Sequence, residues 1–243
     1  MPQKPFVFKK FNVQQHECAM KIGTDAVLLG AWTSIKNRPC SVLDIGAGTG
    51  ILSLMLAQRS DATLIDALEI DDSAYEQCVE NFEQSPWADR LFCYHAALEE
   101  FVDELDDTYD LIICNPPFYS EHYKTNNKQR NLARFSDAMP FVDLLESVSK
   151  LLSEQGLFSV IIPFKETSHF ITLASTYRLS PCRILHVKGT PSSEVKRSLI
   201  EFTFQNSDIA QKEVLTEQLI IETARHQYTE AYINLTQGFY LKM

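Results

Sequence analysis

No stretch in this chain of 243 residues approaches the ~18 uninterrupted apolar residues of a membrane span, and the opening MPQKPFVFKK lacks the apolar run of a secretory leader. A cytoplasmic protein with no membrane partner is therefore expected. No CxxC pair occurs among Cys18, Cys40, Cys78, Cys93, Cys114 and Cys182, which leaves neither a zinc-binding spacing nor a disulfide framework. These thiols are expected to be reduced and mostly buried. His16, His95, His122, His169, His186 and His226 show no metal-ligand spacing either, so no metal is expected. Positive charge is in deficit, with 22 Lys and Arg against 32 Asp and Glu and a net charge of −10, which argues against nonspecific coating of nucleic acid. A local basic face needs only a handful of cations and is not excluded. No repeat and no low-complexity segment is visible, which sets aside solenoids and disordered arrays.

What is present is a strand and helix alternation in a chain that is 45% hydrophobic, enough for one substantial core and short for two domains. Residues 1–243 are expected to form a single domain. Residues 41–46 (SVLDIG), 63–70 (TLIDALEI), 91–96 (LFCYHA), 109–114 (YDLIIC) and 157–162 (LFSVII) read as strands, the fourth and fifth apolar on both faces. Residues 51–58, the segment from Asp71-Asp72-Ser73 to about Glu83, 141–152 and 166–177 have helical spacing, and Gly156 stands where a helix C-cap would. Two late strands, 183–187 and 199–205, suggest a closing hairpin; residues 214–223 fit a helix or a strand equally. The expected architecture is α/β, a seven-stranded, mostly parallel, doubly wound sheet with a terminal antiparallel hairpin, its ligands at the strand C-terminal edge.

Three glycines lie between the first strand and its helix in Asp44-Ile45-Gly46-Ala47-Gly48-Thr49-Gly50, so backbone can turn tightly and a ligand can approach with no Cβ in the way. The spacing GxGxG departs from the dinucleotide fingerprint GxGxxG, whose third glycine is here Ile51. It resembles motif I of class I methyltransferases. Glu69, about twenty residues on at the end of the second strand, is placed to accept hydrogen bonds from ribose hydroxyls. A plain turn or a solvated carboxylate would account for either signal alone, but less readily for the pair. Ala96-Ala97, after the third strand, would flank an adenine ring.

Asn115-Pro116-Pro117-Phe118 ends the fourth strand, which in this topology neighbours the first. An exocyclic amine on a purine is a poor nucleophile because its lone pair is delocalised into the ring. Hydrogen bonds to the Asn115 oxygen and the Pro116 carbonyl would favour the tetrahedral nitrogen that can attack a methyl. Pro116 and Pro117 fix successive φ angles and remove two N–H groups; Phe118 offers a stacking face. The tetrad resembles the [DNS]PP[FYW] motif of amino-methyltransferases, which act on adenine N6, guanine N2 or glutamine N5.

MKIGTDAVLLGAW at 20–32, DIGAGTG, NPPFY, Arg130 with Ala133-Arg134-Phe135, and YTEAYINLTQGFYL near the C-terminus together resemble the bacterial tRNA(Val) adenine-N6 methyltransferases over nearly the whole length. Where that family carries Arg with Tyr or His, this chain has Arg134-Phe135. The resemblance implies a Rossmann-like class I fold, S-adenosylmethionine as donor, adenine 37 of tRNA1(Val) as acceptor, and no obligate protein partner. It further implies Asp44, Gly46, Gly48, Gly50, Glu69, Ile70, Ala97 and Asn115 as cofactor contacts. Residues 1–38 would be an extension covering the cofactor site, with Lys21, Gly23 and Asp25 at the methionine end and Gly23-Thr24-Asp25 as a capping turn. Tyr119, Lys124, Lys128, Arg130 and Arg134 would contact RNA, with Lys9, Lys10 and Lys21 extending that face. Guanine-N2 or glutamine-N5 methylation, and a noncatalytic scaffold binding cofactor or RNA, are the rival readings.

Overall fold

The computed structural model describes residues 4–105, 107–117 and 139–243. A short antiparallel ladder, β1 (Phe6–Val7) on β2 (Asn12–Val13), leads to helix α1 (Thr24–Trp32). Next come β3 (Ser41–Ile45), α2 (Ile51–Arg59), β4 (Leu64–Glu69), α3 (Asp72–Glu83), β5 (Leu91–His95), α4 (Leu98–Glu104) and β6 (Tyr109–Cys114). The chain then forms α5 (Phe141–Leu151), β7 (Leu152–Pro163), a 3-10 turn at Phe164–Glu166, α6 (Thr167–Thr176), β8 (Leu179–Lys188) and β9 (Val195–Phe204). It closes with β10 (Leu215–Ile220), the ladder β11 (Glu222–Ala224) on β12 (Gln227–Tyr228), and α7 (Glu230–Thr236).

The main sheet runs β10-β8-β9-β7-β6-β3-β4-β5. Strands β5, β4, β3, β6 and β7 are parallel, while β9 is antiparallel to both β7 and β8. It has eight strands, where seven were expected. The undecided segment after residue 213 supplies the eighth, pairing parallel to β8 from Leu215↔Arg183 to Ile220↔Lys188. The hairpin β8–β9 is therefore not the sheet's rim: β10 satisfies the outer hydrogen-bonding groups of β8, which would otherwise form an open edge. As an edge strand exposed over its first four residues, β10 carries little of the alternation that identifies a strand.

Period-two alternation distributes the core to both faces. Val42, Ile65, Leu111 and Ile161 pack with α1, α2 and the Tyr232 side of α7. Leu43, Leu68, Ile112 and Phe158 pack with α4, α5 and α6. Gly156 is not a helix cap. Helix α5 ends at Leu151, Leu152 already has extended backbone (φ −82°, ψ 131°), and Gly156 lies within β7. There the register against β6 jumps from Tyr109↔Leu152 to Leu111↔Leu157, and the Leu152 Cδ1 lies 2.7 Å from where a Cβ on Gly156 would stand.

One buried charge ties the sheet to α1. Glu201 on β9 is 2% exposed; it accepts from Ser34 N at 2.5 Å and faces Arg183 Nη1 at 3.7 Å. Arg183 in turn lies 4.3 Å over the Trp32 ring and donates to the Trp32 carbonyl at 3.1 Å. Burial pushes the Glu201 pKa up, and the Ser34 amide and Arg183 hold it back. Removing one member of such a set leaves the others desolvated without compensation. Glu201→Ala should therefore cost about 3–5 kcal/mol in urea unfolding; a loss within experimental error would show the cluster to be well hydrated.

Candidate active site

Ile45 pairs with Cys114, so the next residues of both chains, Gly46 and Asn115, leave neighbouring strands at one level of the sheet's C-terminal edge. The strand order also reverses here, with β4 and β5 running off to one side and β6 and β7 to the other, which opens a crevice between the loops. Asn115 is half-buried, Pro116 buried and Pro117 exposed. Phe118, Tyr119, Lys124, Lys128, Arg130, Arg134, Phe135 and His122 lie outside the described residues.

Beneath the glycine loop Asp44 is fully buried. Its Oδ2 accepts from Ser53 N at 3.1 Å and from Ser53 Oγ at 2.8 Å. Gly50, the N-cap of α2, has no side chain to offer, so the strand's carboxylate satisfies the helix N-terminus instead. The other oxygen, Oδ1, is buried without a hydrogen bond among the described residues. Burial pushes the Asp44 carboxyl up to about 7, further than the two Ser53 bonds hold it down.

The loop hangs from the end of β4. Gly46 N and Ala47 N both donate to the Leu68 carbonyl, at 3.0 and 2.9 Å, and Gly48 N donates to Glu69 Oε2 at 2.7 Å. Glu69 Oε1 accepts from Ile70 N and Asp71 N, each at 2.9 Å. Three of its roughly four acceptor positions are thus filled and one remains on Oε2. Gly46 and Gly48 have φ of +72° and +54°, and no atom of the described residues lies within 4 Å of a Cβ added at either. The space above them is open. Gly50, φ +75°, differs: a Cβ there would collide with the Phe82 ring and lie 2.8 Å from Cys78 Sγ. Two glycines face ligand space and the third permits α2 to pack on α3.

Ile70 is 70% exposed beside this crevice, an apolar side chain presented to solvent. Ala97 is the N-cap of α4 and its N–H donates to Glu100 Oε2 at 3.3 Å, so that amide is already engaged.

The N-terminal segment runs along α3 toward the loop. Asn81 Oδ1 accepts from Gln14 N at 2.7 Å, while Asn81 Nδ2 donates to the carbonyls of Gln14 and Thr49, each at 2.9 Å. One turn earlier Gln77 Oε1 accepts from His16 N and Glu17 N at 3.2 and 3.3 Å. Both amides are almost wholly buried, and Asn81 joins the N-terminal segment directly to the glycine loop. Cys18 is packed beside Glu69 and Asp71; burial first, then these carboxylates, push its thiol up to about 12. Lys21 and Gly23 are exposed. The helix start falls within the expected Gly23-Thr24-Asp25 turn: Gly23 is the N-cap of α1, with no side-chain hydrogen bond, and Thr24 is already helical. Asp25 binds Arg197 Nε on β9 at 2.7 Å, and Lys9 Nζ donates to the Gln237 carbonyl at 2.6 Å.

Sequence reading had passed over Ser53, Gln77, Asn81 and Arg197. The polar pair at 77 and 81 was the available signal, since it interrupts the apolar stripe of Ala74, Cys78 and Phe82; Arg197 carried none. Cys78 and Cys114 are buried, Cys40 is exposed, and Cys93 and Cys182 lie between. Among the described residues no group of His, Cys, Asp and Glu could hold a metal, and no helix is long and apolar enough to cross a membrane.

The methyltransferase small domain family matches residues 21–139. The chain is 62% identical to the tRNA1(Val) (adenine(37)-N6)-methyltransferase of Flavobacterium psychrophilum, over 98% of this chain and 100% of that protein. Identity is 56% to the protein of the same name from Christiangramia forsetii, over 100% of both. Among solved structures, a predicted O-methyltransferase from Agrobacterium tumefaciens superposes with a TM-score of 0.67 at 20% identity, covering 88% of this chain and 96% of that one. That likeness concerns the fold.

The glycine roles separate experimentally. Gly50→Ala should cost about 2–5 kcal/mol in urea unfolding, combining left-handed strain with overpacking, and Gly48→Ala only about 1–2 kcal/mol. Calorimetric affinity for S-adenosylmethionine should rank the other way, with Gly48→Ala folded but impaired.

Proposed function

The chain belongs to the tRNA1(Val) (adenine(37)-N6)-methyltransferase family, and on that premise we propose that it methylates N6 of adenine 37 of tRNA1(Val) from S-adenosylmethionine, with Asn115 and Pro116 holding the amine. The observation that carries this reading is the pairing of Ile45 with Cys114, which brings the glycine loop and the amine-holding motif out side by side.

The crevice fits the donor. Gly46 and Gly48 leave room over the loop, the unpartnered Asp44 Oδ1 offers negative charge beneath it, Glu69 keeps one acceptor position for a ribose hydroxyl, and Ile70 presents an apolar face beside the adenine position, flanked by Ala97. Lys21, Gly23 and Asp25 form the rim where the N-terminal segment meets the sheet, Asp25 with its carboxylate engaged by Arg197. Residues 1–38 act as the cover, latched by Gln77 and Asn81. When bound, S-adenosylmethionine supplies a methyl group made electrophilic by its sulfonium.

The Asn115 oxygen accepts one N–H of the adenine amine and the Pro116 carbonyl the other, so that the nitrogen lone pair is released from the ring and aimed. Pro116, buried and without an N–H, keeps its carbonyl from drifting. No strong base is required, because the amine becomes acidic once methylated and can pass its proton to water. Phe118 stacks on the adenine, and Tyr119, Lys124, Lys128, Arg130 and Arg134 contact the RNA around it.

Asn115→Ala should lower methyl transfer at least about a hundredfold and leave calorimetric donor affinity unchanged; equal loss of both would show Asn115 to be a donor ligand instead. Mass spectrometry of tRNA from cells lacking the gene should show loss of N6-methyladenosine at position 37; loss of N2-methylguanosine from rRNA would redirect the assignment.

A pH dependence follows from Asp44. Its folded-state value near 7 is raised above the ordinary 3.8, so the folded chain retains a proton that the unfolded chain releases, and this stabilising contribution is lost as pH rises through that window. An ammonium group held over the loop would favour the ionised form of Asp44. Donor Kd should therefore weaken by about tenfold per pH unit below 7, and Asp44→Asn should flatten the profile. A wild-type profile flat from pH 5 to 8 would remove the donor's ammonium from Asp44.

A further inference from the structure

Two large apolar side chains are exposed beside the crevice, on opposite sides: Ile70 toward the donor and Phe164, which is 41% exposed, toward β7. Phe164 is a member of neither buried apolar cluster. Nor is it the apolar staple of α6, because the residue preceding that helix's N-cap, Glu166, is Lys165. Its position is set by register. Cys114, the last residue of β6, pairs with Val160, so β7 runs on past the level at which Asn115 leaves the sheet, through Ile161, Ile162 and Pro163, and Phe164 follows directly at its end.

The ring is held in place. Phe164 begins the 3-10 turn Phe164–Glu166 and makes a T-shaped contact with His186, centroids 5.0 Å apart at 89°. His186 Nδ1 lies 3.0 Å from Ser198 Oγ, which accepts from Thr167 Oγ1 at 2.7 Å. An exposed aromatic ring braced from the protein side and adjoining an amine-holding motif has the character of the stacking surfaces that bind unpaired bases. Cations flank it in a chain of net charge −10. Lys165 follows directly and is exposed, 3.8 Å from Glu166. Exposed Lys196 adjoins Arg197, the partner of Pro163 across β7 and β9.

Resting on the functional reading above, we propose that Phe164 is a stacking platform for an anticodon-loop base adjoining the target adenine, with Lys165 and Lys196 meeting the flanking phosphates. The occupant is single-stranded RNA, because the surface continues from the acceptor position and pairs an aromatic face with cations.

The test is binding of the full chain to a fluorescently labelled anticodon stem-loop of tRNA1(Val), followed by anisotropy. Phe164→Ala should raise Kd at least about fivefold, with donor affinity and Tm unchanged. Phe164→Trp should retain wild-type affinity while Phe164→Leu behaves as the alanine variant, a split that a packing role would not produce. Lys196→Ala should reduce the slope of log Kd against log salt by about 0.7. Wild-type affinity in Phe164→Ala or Phe164→Leu would overturn the platform, and an unchanged salt slope would remove Lys196 from it. If residues 118–138 of this chain occupied the ring instead, Phe164→Ala would bind the stem-loop no more weakly than wild type, which also overturns it. A wild-type chain that binds the stem-loop but methylates no adenine would overturn the functional reading alone, because the stacking comparison is read from binding.

Discussion

The parallel pairing of β3 with β6, with Ile45 opposite Cys114, is the constraint on which the site depends. A slip of one residue would turn Val42, Leu43 and Ile45 toward the wrong faces. The two apolar clusters that cover those faces therefore fix where the glycine loop and Asn115 emerge. Burial in the core sets active-site geometry at the edge. The crevice lies at this pair because the chain fills the sheet outward in both directions from it, leaving no crossover helix to cover the gap.

Around that gap one carboxylate from each of two strands organises the loop. Asp44 holds the N-terminus of α2 from below and Glu69 holds Gly48 from the side, so the loop is shaped before any ligand arrives. Among the described residues neither carboxylate is wholly satisfied, since Asp44 keeps one buried oxygen without a partner and Glu69 one acceptor direction. An unpaired buried oxygen is costly, and a cationic ligand whose charge lies near it recovers that cost. Asn81 extends the same scaffold, because its single side chain binds both Gln14 and Thr49 and so couples the position of the N-terminal cover to that of the loop.

How far the sequence revealed this depended on the kind of interaction. Strands β3, β4, β6 and β7 were legible as buried apolar runs, and edge strand β5 as a short apolar and aromatic run despite its exposed Phe92 and Tyr94; the positions of the glycine loop, Glu69 and Asn115 at strand ends followed directly from those runs. Strand β10 was not, since an edge strand with four exposed residues has no periodicity to read. Gly156 looked like a cap because glycine near a helix end usually is one; here it relieves crowding against Leu152 in a bulged strand. The contacts of Asp25 with Arg197 and of Asn81 with Thr49 span 172 and 32 residues, and no local pattern encodes a partner at such separation.

The sign of charge also divides along the edge. Glu17, Glu69, Asp71 and Asp72 gather where β4 ends and the N-terminal segment passes, whereas Lys165, Lys188, Lys196 and Arg197 enter where β7, β8 and β9 meet the same edge, with Glu166, Glu194 and the Arg197 partner Asp25 among them. A donor carrying a sulfonium and an ammonium is drawn to the first side, and a polyanion is repelled from it. An RNA loop approaching this edge therefore meets less repulsion over β7 and β9 than over the carboxylates at the end of β4. Screening limits such steering to about 8 Å at physiological ionic strength, so what matters for an acidic protein acting on RNA is the local order of charges along one sheet edge. Net charge, summed over distant faces, has little bearing on that approach.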